Sequence, residues 1–304
     1  MRTRWPLFRQ LIRSIDQTTD ANSYIENLKV FSNLINNTNF ADAMNTTIPC
    51  HLKYVNKHTN ESLVSTYKMN FRPLATSKKR SAVTVLFLTH HSQIHVLVMK
   101  KSPINVNMDR KYRHGGQYAF PGGMQDEGES ILECALRELQ EEVGISETMI
   151  KVCNDTIPES TTAVGQTPVK AFLAVPTINN KILEYKIQEQ EVDQIYEIPL
   201  LKLIDSYEPL QSTFISSSNK RYLQEMNLLN KKVSDAEDIE EYFVGPVFKV
   251  SDVEATLKSE AADVTVGPLN EMWGFSSRLF VMILNGFEEE LEQNGECYDV
   301  KSKL

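Results

Sequence analysis

Residues 120 to 145, FPGGMQDEGESILECALRELQEEVGI, impose the tightest local constraint on how this chain folds. Ser130 and Glu133 stand three apart, the spacing of a capping box, which predicts a helix beginning at Ser130. Gly144 predicts its end, because glycine takes the left-handed position after a last helical turn without steric cost. Ile131, Leu132, Ala135, Leu136, Leu139 and Val143 recur every three or four positions and predict one buried face, so the segment reads as an amphipathic helix packed on a sheet.

The polar side of that helix is harder to explain. At the helical rotation per residue, Glu138, Glu141 and Glu142 fall within about 100° of one another, so three carboxylates crowd one turn. Each like-charge pair at that range costs about 0.5 kcal/mol. A solvated charged face usually carries counter-charges, and here Arg137 alone supplies one. A divalent cation reverses the cost. Hard oxygen ligands suit Mg²⁺ or Mn²⁺, which keep waters and accept substrate phosphate oxygens as further ligands. Glu129 and Arg137 project near the same side, where the guanidinium can hold neighbouring carboxylates by bidentate hydrogen bonds.

The remaining chain supplies a scaffold. Its 304 residues, 41% hydrophobic and 24% charged, suffice for one main domain with extensions. Residues 81 to 89 and 94 to 100 read as two strands of a hairpin, and residues 102 to 118 as a polar, basic loop. Further strands are expected at Lys151 to Ile157 and Val169 to Pro176. A short amphipathic helix is expected at LeuLeuLysLeuIleAsp, and a strand at TyrPheValGlyProValPheLysVal after the acidic stretch 235 to 241, read as a solvated insertion. Trp273, Phe275, Leu279, Phe280, Ile283, Leu284 and Phe287 fall at helical spacing within a long packing helix from Met272 to Leu291. Residues 1 to 78 read as a helical or flexible extension, 79 to 292 as the main domain and 293 to 304 as a tail.

The stretch Gly123-x5-Glu129-x7-Arg137-Glu138-Leu139-x-Glu141-Glu142-x-Gly144-Ile145 matches every defined position of the Nudix box, and the chain resembles the Nudix hydrolases. The resemblance implies an α/β/α sandwich with a mixed central sheet, here with a helical N-terminal extension. It further implies Mg²⁺- or Mn²⁺-dependent hydrolysis of a diphosphate. Glu138, Glu141 and Glu142 would be metal ligands together with the Gly123 carbonyl, and Glu129 and Arg137 an orienting pair. Glu141 is either ligand or general base, and Glu191 is a second candidate for the base. Upstream, His114-Gly115-Gly116-Gln117-Tyr118-Ala119-Phe120-Pro121-Gly122-Gly123 resembles the HxGQxxFPGG signature of the coenzyme A diphosphatase subfamily. Residues 270 to 279, Glu191-Val192 and Ile198-Pro199-Leu200 resemble other segments of that subfamily, while Lys111-Tyr112 depart from its usual Leu-Arg pair. The implied products are adenosine 3′,5′-bisphosphate and 4′-phosphopantetheine, from coenzyme A or an acyl derivative.

Lys101, Arg110, Arg113, His114, Gly116 and Gln117 are the candidates for holding substrate phosphate. A basic surface loop without a ligand, with His114 a turn residue, is the other reading. Alternatives at the level of function are a Nudix pyrophosphatase for NADH or ADP-ribose and a catalytically silent ligand-binding domain. A net charge of −8 argues against a broad grip on nucleic acid. Four scattered cysteines suggest neither zinc cluster nor disulfide framework, and no apolar run is long enough to span a bilayer. Ser302-Lys303-Leu304 matches a peroxisomal import signal, implying the import receptor as a partner. Arg2, Arg4, Arg9 and Arg13, preceding the first acidic residue, describe either a mitochondrial transit helix or an ordinary helix with Leu7, Leu11 and Ile15 packed inward; a cytoplasmic location is a further alternative.

Overall fold

The computed structural model describes residues 4–17, 21–41, 48, 50–56, 62–65, 80–90, 93–102, 104–105, 110–111, 115–161, 167–177, 183–216, 239–250, 256–258 and 270–298. The hairpin read from the sequence is present. Strands β3 (Ser81–His90) and β4 (Gln93–Lys101) pair antiparallel from Phe87 opposite Val96 to His90 opposite Gln93. Two shorter strands precede them, β1 (His51–Asn56) and β2 (Ser62–Ser65). After them come β5 (Tyr118–Ala119), β6 (Gly122–Met124), β7 (Ile150–Asn154), β8 (Pro168–Pro176) and β9 (Val192–Pro199). The chain closes with β10 (Tyr207–Ser216), β11 (Ile239–Lys249) and β12 (Glu271–Met272).

The central sheet is mixed, as expected. β8 runs parallel to β3, with Val169 opposite Ser81, whereas β4 is antiparallel to both β3 and β9. Alternation along these strands separates two cores. Val85, Phe87, Val96 and Val98 enter one apolar cluster, while Leu86, Leu88, Leu97 and Met99 enter the other. Both faces are therefore apolar, which is why β3 and β4 read as continuous hydrophobic runs.

Helix α3 (Ile131–Val143) covers the second face. Its capping box and its C-terminal Gly144 at φ 80° are both formed. The first face is covered by α1 (Pro6–Asp16), α2 (Ala21–Asn37) and α5 (Gly274–Asn294); α4 (Leu200–Asp205) lies between β9 and β10. Layering is thus α/β/α. Phe287 of α5 gathers this side, its ring 5.1 Å from Phe8, 5.6 Å from Phe40 and 6.1 Å from Phe87.

The N-terminal segment forms more than helices. β1 pairs with β2 and β11, and β10-β11-β1-β2 make a second sheet beside the first. On α1, Phe8, Leu11, Ile12 and Ile15 are buried in the shared core and Leu7 is half-buried against it, so the arginine-bearing segment has a packing role. Trp273, expected within the long helix, instead precedes it as the cap position and sets its ring 5.6 Å from Phe243. Residues 235 to 238 of the acidic stretch lie outside the described residues, while 239 to 241 belong to β11.

Two buried polar clasps fix α1 and α2. The Glu288 carboxylate accepts the backbone N–H groups of Leu7 (3.0 Å) and Phe8 (2.8 Å), capping α1 from across the core. Asn154, on β7, donates to the carbonyls of Ile35 (2.7 Å) and Thr38 (2.9 Å) at the end of α2 and accepts from Thr156 N–H (2.8 Å). Replacing Asn154 by Ala leaves these buried groups without partners and should cost about 1–3 kcal/mol. Urea unfolding, with an unchanged slope and a lowered midpoint, checks this; an unmoved midpoint would show the clasp to be dispensable.

Candidate active site

Helix α3 faces β6 across a short distance, and that approach shapes the site. β6 pairs with β3, Ser81 to Met124 and Val83 to Gly122, and Pro121 accepts a backbone hydrogen bond from Thr84 (2.9 Å). A side chain at Gly123 would start 2.3 Å from Glu138 Oε1, and one at Gly122 would start 2.1 Å from the Ala82 carbonyl oxygen. Glycine at both positions lets a helix carboxylate and a strand backbone meet without a side chain between them.

The buried stripe of α3 is rotated from the one expected. Leu132 is exposed, and the inward positions are Cys134, Ala135, Glu138, Leu139, Glu142 and Val143. Two of the three crowded glutamates therefore point inward. The Glu142 side chain is 1% exposed and that of Glu138 12%, against 50% for Glu141. Glu142 Oε2 accepts the Gly122 N–H at 2.7 Å, and Lys101 Nζ lies 3.2 Å from its other oxygen. Burial outweighs both partners and pushes the Glu142 carboxyl up to about 7. Burial also raises Glu138, against the pull of Arg137.

Arg137 binds the rest of the cluster. Its Nε and Nη2 grip the two Glu129 oxygens (3.0 and 2.9 Å), its Nη1 reaches Glu138 and Glu141 (both 3.0 Å), and Nη2 also donates to the Met124 carbonyl (2.9 Å). This fork holds Glu129 at about 2, helped by the Asp126 N–H (2.7 Å). Cys134 lies beneath, its thiol 3.7 Å from the Gly123 carbonyl oxygen and pushed up to about 12 by burial and by Glu129. On the outer side, a groove of about 580 Å³ is lined by Glu129, Arg137, Glu141 and Glu147.

Several loop candidates converge on the end of β4. Lys101 N–H donates to the Gln117 carbonyl (2.9 Å), Gly116 N–H donates to the Lys101 carbonyl (2.8 Å), and Ser102 N–H donates to the Glu191 carbonyl (2.8 Å). Lys101, Gly116, Gln117 and Glu191 thus stand together beside Glu142. Arg110 pairs through its backbone with Asn105, and its side chain lies outside the described residues, as do Arg113 and His114. Lys101, a candidate for substrate phosphate, has its ammonium on Glu142. The buried Asp193, 3.7 Å from Lys100 Nζ, is not among the sequence candidates; a lone acid in an apolar strand is the available signal for it.

The donor chemistry fits a hard divalent ion, since Glu138, Glu141, Glu142 and the Gly123 carbonyl supply oxygen alone. Among the described residues no three acidic, His or Cys side chains converge as a preassembled metal cage, because the carboxylates are held by Arg137 and Lys101. Metal binding at Glu142 requires the Lys101 contact to give way. No helix among the described residues is long and apolar enough to cross a membrane.

An uncharacterized Nudix hydrolase NudL of Pectobacterium atrosepticum is 32% identical over 125 residues, 40% of this chain and 58% of the relative. The protein of that name from Escherichia coli O1:K1 / APEC is 31% identical over 139 residues, 44% of this chain and 66% of its own length. The match thus spans less than two thirds of either relative. A crystal structure of a C. elegans Ap4A hydrolase binary complex superposes with a TM-score of 0.33 and 19% identity, over 50% of this chain and 98% of that one. Residues 78–214, the stretch that carries the glutamate helix, match the family model described as the NUDIX domain.

Proposed function

We propose that the protein hydrolyses the diphosphate bond of coenzyme A or an acyl derivative, giving adenosine 3′,5′-bisphosphate and a 4′-phosphopantetheine. One observation carries the choice of substrate. The turn bearing the HxGQxxFPGG-like sequence is hydrogen-bonded through Gly116 and Gln117 to the backbone of Lys101, whose side chain is on Glu142. The segment that resembles the coenzyme A subfamily therefore stands at the carboxylate cluster. A substrate with a 3′-phosphate as well as a diphosphate also matches a loop containing Lys101, Arg110, Arg113 and His114.

In this reading Glu138, Glu142, Glu141 and the Gly123 carbonyl hold Mg²⁺ or Mn²⁺, which when bound neutralises diphosphate charge and makes a water more acidic. Arg137 and Glu129 keep the carboxylates oriented; Arg137 spans Glu129, Glu138 and Glu141 at once. Water adds to one phosphorus and the bridging oxygen leaves with the other, so the nucleotide and pantetheine sides each keep a phosphate. The proton passes to Glu141, the most exposed of the three helix carboxylates, or to Glu191 at the end of β4.

Incubating the purified chain with Mg²⁺ or Mn²⁺ and coenzyme A, NADH or ADP-ribose tests the substrate. Turnover of coenzyme A should be fastest; preference for NADH or ADP-ribose moves the assignment to another Nudix pyrophosphatase, and inertness toward all diphosphates to a silent binding domain. Glu142→Gln should lower turnover at least about 10²-fold with the far-UV circular dichroism unchanged, and near-normal turnover would remove Glu142 from the site. For location, we propose the peroxisome, reached through the import receptor and Ser302, Lys303 and Leu304, which lie outside the described residues. Deleting these three residues should leave purified activity intact and disperse a fluorescently tagged protein into the cytosol; retained organelle import would overturn the assignment.

A further inference from the structure

The carboxylate cluster contains its own cations, and they are held in different ways. Glu129, Glu138, Glu141 and Glu142, with Asp126 at the edge, outnumber Arg137 and Lys101, so the cluster stays negative with its own cations in place. Arg137 is fixed by its fork, with contacts of 2.9–3.0 Å to three glutamates and the Met124 carbonyl. Lys101 meets Glu142 at 3.2 Å, longer than a tight charge-assisted bond, on a flexible stem with a rotatable ammonium.

Glu142 cannot stand buried without a counter-charge at low cost, and the Gly122 N–H serves one of its two oxygens. The ammonium lies on the Glu142 oxygen that the Gly122 N–H leaves open, near enough to Glu138 for its charge to act on that carboxyl as well. Two cations beside so deeply buried a carboxylate would repel strongly. The backbone of Lys101 cannot follow, because Gln117 and Gly116 bracket it at 2.9 and 2.8 Å. Release therefore moves the side chain alone, pivoting on a backbone held at the Gly116–Gln117 turn. Lys100 is no substitute, since strand alternation turns it to the opposite face, where it meets Asp193 at 3.7 Å.

We propose that Lys101 is a built-in surrogate for the metal at Glu142, expelled when a divalent ion binds and then engaging the diphosphate of the substrate. The inference rests on the metal-dependent reading above and deepens it, because one side chain then links metal entry to anion binding. By thermodynamic reciprocity, a diphosphate that captures the freed ammonium must tighten metal binding in turn.

Titration calorimetry of the full chain with Mn²⁺, alone and with adenosine 5′-(α,β-methylene)diphosphate, tests this. Without the nucleotide, Lys101→Met should bind Mn²⁺ about tenfold more tightly than the natural chain, a change of about 1.4 kcal/mol. Lys101→Arg, which keeps a cation, should not show that gain. The nucleotide should tighten Mn²⁺ binding to the natural chain at least about fivefold, and Lys101→Met should lose most of that effect. Lys101→Gln, checked by circular dichroism, serves if the Met variant fails to fold. Equal or weaker Mn²⁺ binding by Lys101→Met or Lys101→Gln, with the natural chain binding normally and Glu142→Gln not, would overturn the Lys101 role alone. Absence of Mn²⁺ binding by the natural chain, or binding indifferent to Glu142→Gln, would overturn the metal-dependent reading and the Lys101 role together.

Discussion

Glu142 is a carboxylate buried to 1% exposure, and the surrounding fold is arranged around the cost of keeping it there. Removing an ion from water costs several kcal/mol unless opposite charge and hydrogen bonds replace the solvent. The Gly122 N–H can reach Glu142 because β6 is pinned to β3, and β6 can pass close to α3 because positions 122 and 123 lack side chains. Glu138, one turn earlier on α3, uses the same close approach and takes its counter-charge from Arg137. The helix thus buries apolar residues and carboxylates on one stripe. Leu139 and Val143 hold it to the sheet while Glu138 and Glu142 face the strand backbone.

The opposite layer is what permits such a helix to stay where it is. β3 and β4 donate half of their side chains to α3 and half to the cluster around Phe287, so neither face can shift without disturbing the other. Polar groups buried on that far side close the helix ends. Glu288 caps α1, Asn154 closes α2, and Arg9 reaches both the Asp205 carboxylate and the Ile204 carbonyl at the end of α4. The segment before β3 therefore contributes to the same core, through α1 and α2, and extends the second sheet through β1.

Local chemistry made much of this legible in advance. Ser130, Glu133 and Gly144 mark α3 because caps act through neighbouring residues, and the apolar runs mark β3 and β4 because both faces are buried. The rotation of α3 was not legible. Periodicity counted Leu132 as inward and the glutamates as outward, whereas close glycine backbone and two cations make the carboxylate side an interior one. β1 was missed for a related reason. His51–Asn56 alternates half-buried and buried positions over a few residues only, and its identity as a strand depends on β11, nearly two hundred positions away. The Lys101 partner was likewise invisible, since a lysine in a basic stretch reads as a phosphate ligand until the strand end is seen against α3.

The end of β4 shows how much the site depends on register. Side chains on a strand alternate, so of the consecutive lysines 100 and 101 only one can face α3. Ile94, Val96 and Val98 belong to the Phe287 side, Leu97 and Met99 to the α3 side, and this apolar pattern selects Lys101 for Glu142. Lys100 is left on the other face, beside Tyr118 and Tyr196, whose hydroxyls meet at 3.3 Å and whose ionisation is disfavoured first by burial and also by the nearby Asp193 charge. A register irregularity between Val192 and Gln194 accommodates Asp193 opposite this strand end, and its carboxylate answers Lys100. Such irregularities re-aim side chains next to functional sites. A single-residue slip in β4 that put Ser102 in the place of Lys101 would turn Lys101 toward Asp193, bury Lys100 in the α3-side core and leave Glu142 with the backbone alone. The hydrophobic pattern of a strand thereby decides the electrostatics of a site on the neighbouring helix.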